Sequence, residues 1–384
     1  MRIALVTDTY TPQVNGVTTI VGRVVEVLGR ARHDVVVVAP EYPDSQPGTV
    51  DIELRVPSVA FPPYPAIRLS IPQPRRVALL LDSFLPDLVH VMTEGPLGLV
   101  GRRYAVRHAV PLVTSYHTDF PQYARSYGLG TLEAVIWQWL TWFHRPAALT
   151  HTPGVFMQSE LERRGLGPVR VWGRTADTTL FDHRRRDVAL RRRLGVPDGA
   201  VLVLHVGRLA KEKNLMVLAE AWTRARAELG SRAVFVFAGD GPLADRCAKA
   251  MPWAVRLGFL DRAELAALYA SADLGVFPSS TETCGLVALE AMASGLPVVA
   301  ANAGGFRESV TTWVNGFLIE PDDVRGFASA IAQLALDADL RHSMGAQARL
   351  AAVMADRGEE DERLLGDYAE VRGRHREEAQ WRAA

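Results

Sequence analysis

The sequence predicts an α/β protein of two doubly wound parallel-sheet domains. Three observations carry this reading. Short β-branched apolar runs alternate with longer segments of helical period. The pattern restarts after an irregular stretch around Trp172–Pro197, and 384 residues exceed what one hydrophobic core usually serves. Strands buried on both faces by crossover helices read as continuous apolar runs rather than as alternation.

In the first half the runs are Arg2–Thr7, then Val17–Arg30 with apolar residues at helical spacing, then Asp34–Ala39, Leu88–Met92, Pro111–Ser115 and Leu149–Pro153. In the second they are Val201–Val206, a helix near Asn214–Leu229, Ala233–Ala238, Val255–Gly258, Leu274–Phe277 and Pro297–Ala300. Domains of residues 1–172 and 173–361 follow, the seam lying between the two series. The terminal stretch Glu359–Arg382, dense in charge and helix formers, reads as a surface helix able to pack back onto the first domain from about residue 362.

Hydrophobic residues make up 48% and charged residues 22% of the chain, which argues against disorder. Basic and acidic side chains number 43 each, so the net charge is zero and nucleic acid or another polyanion is not expected as the main partner. Only Lys211, Lys213 and Lys249 among the bases are lysines. The arginine triplets Arg184–Arg186 and Arg191–Arg193 invite an anionic partner, but Asp182 and Asp187 dilute them and a solvated helix is the better reading. Two cysteines, Cys247 and Cys284, give no disulfide framework and no metal-finger spacing. The N-terminal apolar run is too short for a secretion signal, and no run reaches the roughly 18 residues of a membrane span. A soluble, cytoplasmic protein is expected, with peripheral contact with a membrane surface left open.

In an open α/β sheet, ligands bind beyond the carboxyl ends of the strands. Residues at such ends are therefore the candidates. Gly16 precedes a helix, where backbone N–H groups can meet a phosphate. Arg208 and Lys213, in Gly207-Arg208-Leu209-Ala210-Lys211-Glu212-Lys213, combine a planar fork and a mobile point charge suited to a diphosphate. Glu282 lies in a polar loop at a helix mouth. Glu290 sits inside an apolar helix, where ribose hydroxyls would satisfy a carboxylate that is costly to bury alone. His117, Asp119 and Glu94 end strands of the first domain.

Taken in order, these segments resemble the family-4 retaining glycosyltransferases of GT-B architecture, two Rossmann-like domains facing across a cleft. The carriers are Pro12-Gln13-Val14-Asn15-Gly16-Val17, Gly207-Arg208-Leu209 with Glu212-Lys213, Ala238-Gly239-Asp240-Gly241-Pro242, and Glu282 to Glu290 with seven residues between. Asn302-Ala303-Gly304-Gly305 and Asn315-Gly316 fit as well. Within the family the chain is most similar to bacterial α-mannosyl- and sulfoquinovosyl-transferases of glycolipid synthesis, through Asn15-Gly16-Val17, Tyr116-His117-Thr118-Asp119 and Trp172-Gly173-Arg174. The resemblance implies a first domain on the acceptor side and a second that binds the nucleotide sugar. Arg208 and Lys213 are assigned to the donor diphosphate, Gly16 to a loop over it, and Glu290 to the ribose. Glu282 would hold the sugar with the Cys284-Gly285-Leu286 turn, His117 would touch it from the other domain, and the base would lie near Arg256–Leu260. Cys284 stands where the family often has a larger apolar side chain, and Thr175-Ala176 where it usually has Gly-Val.

The expected reaction is hexosyl transfer, mannose favoured, from a GDP- or UDP-linked sugar to a hydroxyl acceptor that could be lipid-linked. The catalytic set is His117, Glu282, Arg208 and Lys213. No carboxylate stands clearly in a nucleophile's place, so front-face departure of the diphosphate is the expected route to retention. No cofactor or metal is expected, the clamp carrying the charge instead. A nucleotide-sugar epimerase and a silent sugar-nucleotide-binding protein are the rival readings. Apolar, proline-rich Pro57–Pro74 (with Phe61, Tyr64, Ile67 and Leu69) reads as an acceptor-side loop, with Arg75 and Arg76 able to meet anionic head groups.

Overall fold

A computed structural model describes residues 1–43, 50–61, 64–355 and 357–383. They fall into two units. The first comprises Met1–Pro121, Thr131–Gly173 and the C-terminal helix from Gly358, and the second comprises Gln122–Gly130 and Arg174–Arg357.

The first part of the chain runs β1 (Arg2–Val6), α1 (Gly16–Arg30), β2 (Asp34–Pro40), β3 (Ile52–Val56), β4 (Ser58–Phe61), β5 (Tyr64–Ser70), α2 (Pro74–Phe84) and β6 (Leu88–Val91). It continues with α3 (Pro96–Arg107), β7 (Leu112–Ser115), α4 (Phe120–Ser126), α5 (Glu133–His144), β8 (Leu149–Thr152), α6 (Val155–Arg163) and β9 (Val169–Val171). Seven strands form a parallel sheet in the order β3-β2-β1-β6-β7-β8-β9. Strand order reverses between β1 and β6, which makes their carboxyl ends the switch point.

Side chains alternate across the sheet, and the alternation sorts the helices. Ala4, Val6, Val89 and Val91 pack with Val77 and Leu81 of α2, Val100 and Tyr104 of α3, and Phe143 of α5. His90, between Val89 and Val91, points the other way and meets Tyr368 of the C-terminal helix, Nδ1 to Oη at 2.5 Å.

The second unit holds α7 (Val188–Arg193), β10 (Val201–Val206), α8 (Leu215–Leu229), β11 (Ala233–Ala238), α9 (Ala244–Ala250), β12 (Val255–Arg256) and α10 (Arg262–Ser271). Then come β13 (Leu274–Phe277), α11 (Leu286–Ala293), β14 (Val298–Ala301), α12 (Phe306–Ser309), β15 (Gly316–Ile319), α13 (Val324–Leu336) and α14 (Ala338–Met354). Its six parallel strands are ordered β12-β11-β10-β13-β14-β15, with the switch point between β10 and β13. Every residue of β10, β13 and β14 is buried.

The last helix, α15 (Arg357–Ala383), belongs to the first unit from Gly358 on. Leu364, Tyr368 and Val371 bury against it, and much of its charge is paired rather than solvated. Arg23 meets Glu360 and Asp361 at 2.8 Å each, and Asp367 accepts from Arg170 and lies 2.8 Å from His151 Nε2.

One expectation changes. The Pro57–Pro74 stretch is an antiparallel hairpin, β4 against β5, rather than a plain loop; its Pro62 and Pro63 lie outside the described residues. Several of the seam arginines are paired with carboxylates of their own unit. Arg184 meets Asp182 at 2.8 Å, while Arg186 and Arg191 share Asp273 at 2.9 and 2.7 Å, in keeping with the structural reading of the triplets. No described helix is long and apolar enough to cross a membrane.

Candidate active site

The candidate site lies at the switch point of the second unit. Beyond β10 the chain turns through Gly207 and Arg208 into the short helical turn Lys211–Lys213, and α8 begins after Asn214. Beyond β13 a polar loop carries Glu282 and ends at Gly285, where α11 begins. Asn214 (φ 55°) and Gly285 (φ 73°) are both left-handed, and neither helix has a side-chain cap. Two helix N-termini are thus left without a carboxylate or hydroxyl of their own, an arrangement that favours a bound anion.

The cations at this point are held by carboxylates. Lys213 Nζ donates to Glu282 Oε1, and Arg208 donates to Glu212 Oε1. Burial works to lower the Lys213 pKa, but the Glu282 charge beside it overcomes this and the ammonium is held above its usual range. Burial likewise works to raise Glu212, and the Arg208 charge brings the carboxyl below its usual range. Glu212 is the hub. Tyr127 Oη donates to its Oε2 at 2.7 Å, and its carbonyl accepts from Ser279 Oγ at 3.1 Å, tying the β10 loop to the β13 loop. Gln122 adds a tie to the Ser280 carbonyl at 2.6 Å.

Two glycine motifs are explained by close backbone approach. A Cβ on Gly304 (φ 51°) would lie 2.2 Å from the Glu282 carbonyl oxygen, and Gly305 N–H donates to that same oxygen at 2.8 Å. On Gly239 (φ 130°) a Cβ would lie 2.0 Å from the Gly207 carbonyl oxygen. Leu209 N–H donates to Asp240 O at 2.9 Å, so the Gly239–Gly241 turn braces the Arg208 loop.

Glu290 is half-buried on α11. Arg262 Nη1 approaches it at 3.9 Å and works to lower its pKa, yet burial raises it to about 7; the Tyr269 hydroxyl nearby donates to the Val287 carbonyl at 3.1 Å. Arg256 is exposed at the sheet edge in β12, and Leu260 packs partly against the core just before α10. Cys284 is buried, and Leu286 opens α11.

His117 and Gly16 belong to the first unit. Burial, with His151 and His144 nearby, depresses His117 to a pKa of about 4, so it is neutral at physiological pH. Gly16 is exposed at the first position of α1. Its N-cap Asn15 already accepts from Thr18 N–H at 2.9 Å in a reciprocal capping box. Glu94 is buried 3.3 Å from His144 Nε2, and Asp119 is buried. Sequence reasoning named Glu212 only as part of the Glu212-Lys213 motif, with no role, and did not single out Tyr127, Tyr269 or Arg262. The Arg208–Glu212 spacing of four was a usable signal, whereas Tyr127 comes from a distant part of the chain.

Two doubly wound units, the second with carboxylate-held cations at its switch point, define the class as a GT-B glycosyltransferase. A family model described as Glycosyltransferase Family 4 matches residues 14–180, and one described as Glycosyl transferases group 1 matches residues 188–351. A GDP-mannose-dependent alpha-mannosyltransferase of Mycolicibacterium smegmatis is 38% identical over 382 residues, 97% of this chain and 98% of the relative. An alpha-monoglucosyldiacylglycerol synthase of Streptococcus pneumoniae is 30% identical over 316 residues, 78% of this chain and 71% of the relative. The sucrose-phosphate synthase structure from Thermosynechococcus elongatus shares the fold, with a TM-score of 0.77 at 18% identity over 97% of this chain and 99% of that one. The chain belongs to the family-4, group-1 glycosyltransferases and is a nucleotide-sugar-dependent enzyme. The epimerase reading finds no support.

Proposed function

We propose that the protein transfers a hexose, mannose in the first instance, from a GDP-linked donor to a hydroxyl of a lipid or glycolipid, with retention at the anomeric carbon. The observation that carries this is the pair of carboxylate-held cations, Lys213–Glu282 and Arg208–Glu212, beneath two uncapped helix N-termini. Donor phosphates take over Lys213 and Arg208, offering those cations more negative charge than one carboxylate does. Glu282, released from Lys213, accepts from sugar hydroxyls alongside the backbone N–H groups of the Cys284-Gly285-Leu286 turn. Ionised Glu290 accepts from the ribose hydroxyls, and the base lies against Arg256–Leu260.

The C1–O bond to the diphosphate breaks, and negative charge gathers on the leaving oxygen where Arg208, Lys213 and the α8 and α11 N-termini stabilise it. That oxygen takes the acceptor hydroxyl proton while the acceptor oxygen bonds C1 on the same face. His117, kept neutral, contributes a hydrogen bond rather than a charge, and Gly16 remains assigned to the diphosphate loop. The GDP-mannose preference is supported by the M. smegmatis relative, and the lipid-borne hydroxyl by the pneumococcal one.

Incubating the protein with GDP-mannose, GDP-glucose or UDP-glucose and reading thermal stabilisation and slow donor hydrolysis tests the reading. GDP-mannose should be the strongest in both. Equal response to all three, or a response to UDP-glucose alone, overturns the donor assignment. Transfer should persist in EDTA, because the cations named above carry the charge a divalent ion would otherwise meet.

A further inference from the structure

The apolar run of β10, Val201–Val206, contains one polar side chain, that of His205, which is 2% exposed. We propose that His205 is a positioning residue of the donor site: its unprotonated Nε2 accepts a hydrogen bond from the Lys213 ammonium once Glu282 has left that ammonium for the donor sugar. The geometry fixes the tautomer. Pairing between β10 and β13 ends at Leu204 opposite Gly275, and one residue further His205 Nδ1 lies 2.8 Å from the Val276 carbonyl oxygen. A carbonyl only accepts, so Nδ1 carries the proton and the neutral ring presents Nε2 as an acceptor. Nε2 is buried and has no hydrogen-bond partner among the described residues. Buried polar atoms nearly always find a partner, so an acceptor left bare here points to a donor that reaches it in another state of the site.

The position of the ring says which donor that is. A Cβ on Gly207 would stand 3.7 Å from Nε2, so this nitrogen faces the turn that leads through Arg208 to Lys213. Phe277 flanks the imidazole, with ring centroids 6.0 Å apart. The side-chain charges that act on the ring are those of Lys213 and Glu282. Burial, with Lys213 adding to it, depresses the pKa of His205 to about 4, so the lone pair is available at physiological pH. An ionised Glu282 has no proton to offer, whereas Lys213 has three, one of which goes to Glu282 Oε1. When donor phosphates draw on Lys213 and Glu282 turns to the sugar, a second N–H passes to Nε2. The ammonium is then held between phosphate on one side and imidazole on the other. A neutral acceptor suits this place better than another carboxylate, because it orients the cation without cancelling the positive charge that the leaving oxygen meets.

This deepens the donor-site reading and rests on it, yet its first test needs no donor, so the two can fail separately. Nitrogen NMR of the histidine-labelled full-length protein reads His205 Nε2 directly, its signal being the one absent from His205→Phe. Glu282→Ala frees Lys213 without any ligand. The Nε2 signal should then move upfield, as it does when the lone pair accepts a hydrogen bond, and return to its wild-type position in Glu282→Ala/Lys213→Met. A signal unmoved by Glu282→Ala, or one that moves equally in the double variant, overturns the proposal. Kinetics supply the second test, read as GDP released from GDP-mannose. His205→Phe keeps a ring and removes the acceptor, and should lower kcat by about tenfold with donor KM within about twofold of wild type. His205→Gln, whose amide offers both a donor and an acceptor, should recover most of kcat. A purely structural imidazole would instead show its loss in the unfolding temperature and leave both constants unchanged. Unchanged kcat in a folded His205→Phe, or equal loss in the two variants, overturns the positioning role.

Discussion

The two units share a doubly wound topology and differ in what fills the switch point. In the first, the Asp8 carboxylate after β1 accepts from Leu97 and Gly98 N–H at 2.8 and 3.0 Å, closing the N-terminus of α3. Asn15 closes α1 in the same way. In the second, no side chain caps α8 or α11, and the nearby carboxylates Glu212 and Glu282 face cations instead. One crevice has its helix N-termini closed by side chains of its own, and the other holds carboxylates that a ligand can displace from their cations. Equal folds therefore do not make equal sites, and the chemistry follows the few side chains at the strand ends.

The largest effect should come from breaking the displaceable pairs. Lys213→Ala and Glu282→Ala should each lower kcat/KM by roughly two to three orders of magnitude, the range for removing one group that meets developing charge. Far-UV circular dichroism and thermal unfolding should find both variants folded. Near-full activity in both would remove the site from the second unit's switch point.

Glu212→Gln tests whether Glu212 positions Arg208. The amide keeps a hydrogen-bond acceptor for Tyr127 Oη but withdraws the charge that Arg208 leans on. Donor KM should rise by about tenfold with a smaller change in kcat. Glu212→Asp should not restore it, because its shorter reach cannot hold both partners. If kcat falls with KM unchanged, Glu212 acts in the chemical step and the positioning role is wrong.

The first unit supplies the control. Asp8→Ala should cost about 1–2 kcal/mol of stability, as losing a helix cap does, and lower the unfolding temperature. GDP-induced stabilisation should stay as in the wild type. A lost response to GDP would mean that Asp8 also serves the donor.

Much of this was legible in the sequence, for physical reasons that differ by element. Central strands such as β10 and β13 are buried along their length, and their apolar runs match Val201–Val206 and Leu274–Phe277 residue for residue. Edge strands escaped: β3 and β9 are short and half-covered, so their side chains carry no long apolar signal. The Arg208, Lys213, Glu282 and Glu290 positions stood out because charge at a strand end or inside an apolar helix is unusual. The Lys213–Glu282 pairing did not, since it joins residues 69 apart in sequence. Tyr127 could not be found by spacing, because Gln122–Gly130 leaves the sequence neighbourhood of the first unit to join the second.

The smallest effect is one of pH, and it separates Glu290 from the other carboxylates. Glu212 is held ionised by Arg208, whereas burial raises Glu290 to about 7. A raised carboxyl binds its proton more tightly in the folded chain than in the unfolded one. Between the ordinary carboxylate range and pH 7, the folded state therefore carries the extra proton. The stability this group contributes is present at low pH and is lost as pH rises toward 7. Donor binding has the opposite dependence, because ribose hydroxyls donate to the ionised form. Donor KM should therefore fall severalfold from pH 6 to pH 8, while Glu290→Gln should show a flat profile at a higher KM. Arg262→Ala, which removes the cation 3.9 Å away, should move the midpoint further up. A profile unchanged by both substitutions would assign the titration elsewhere in the site, and the ribose with it.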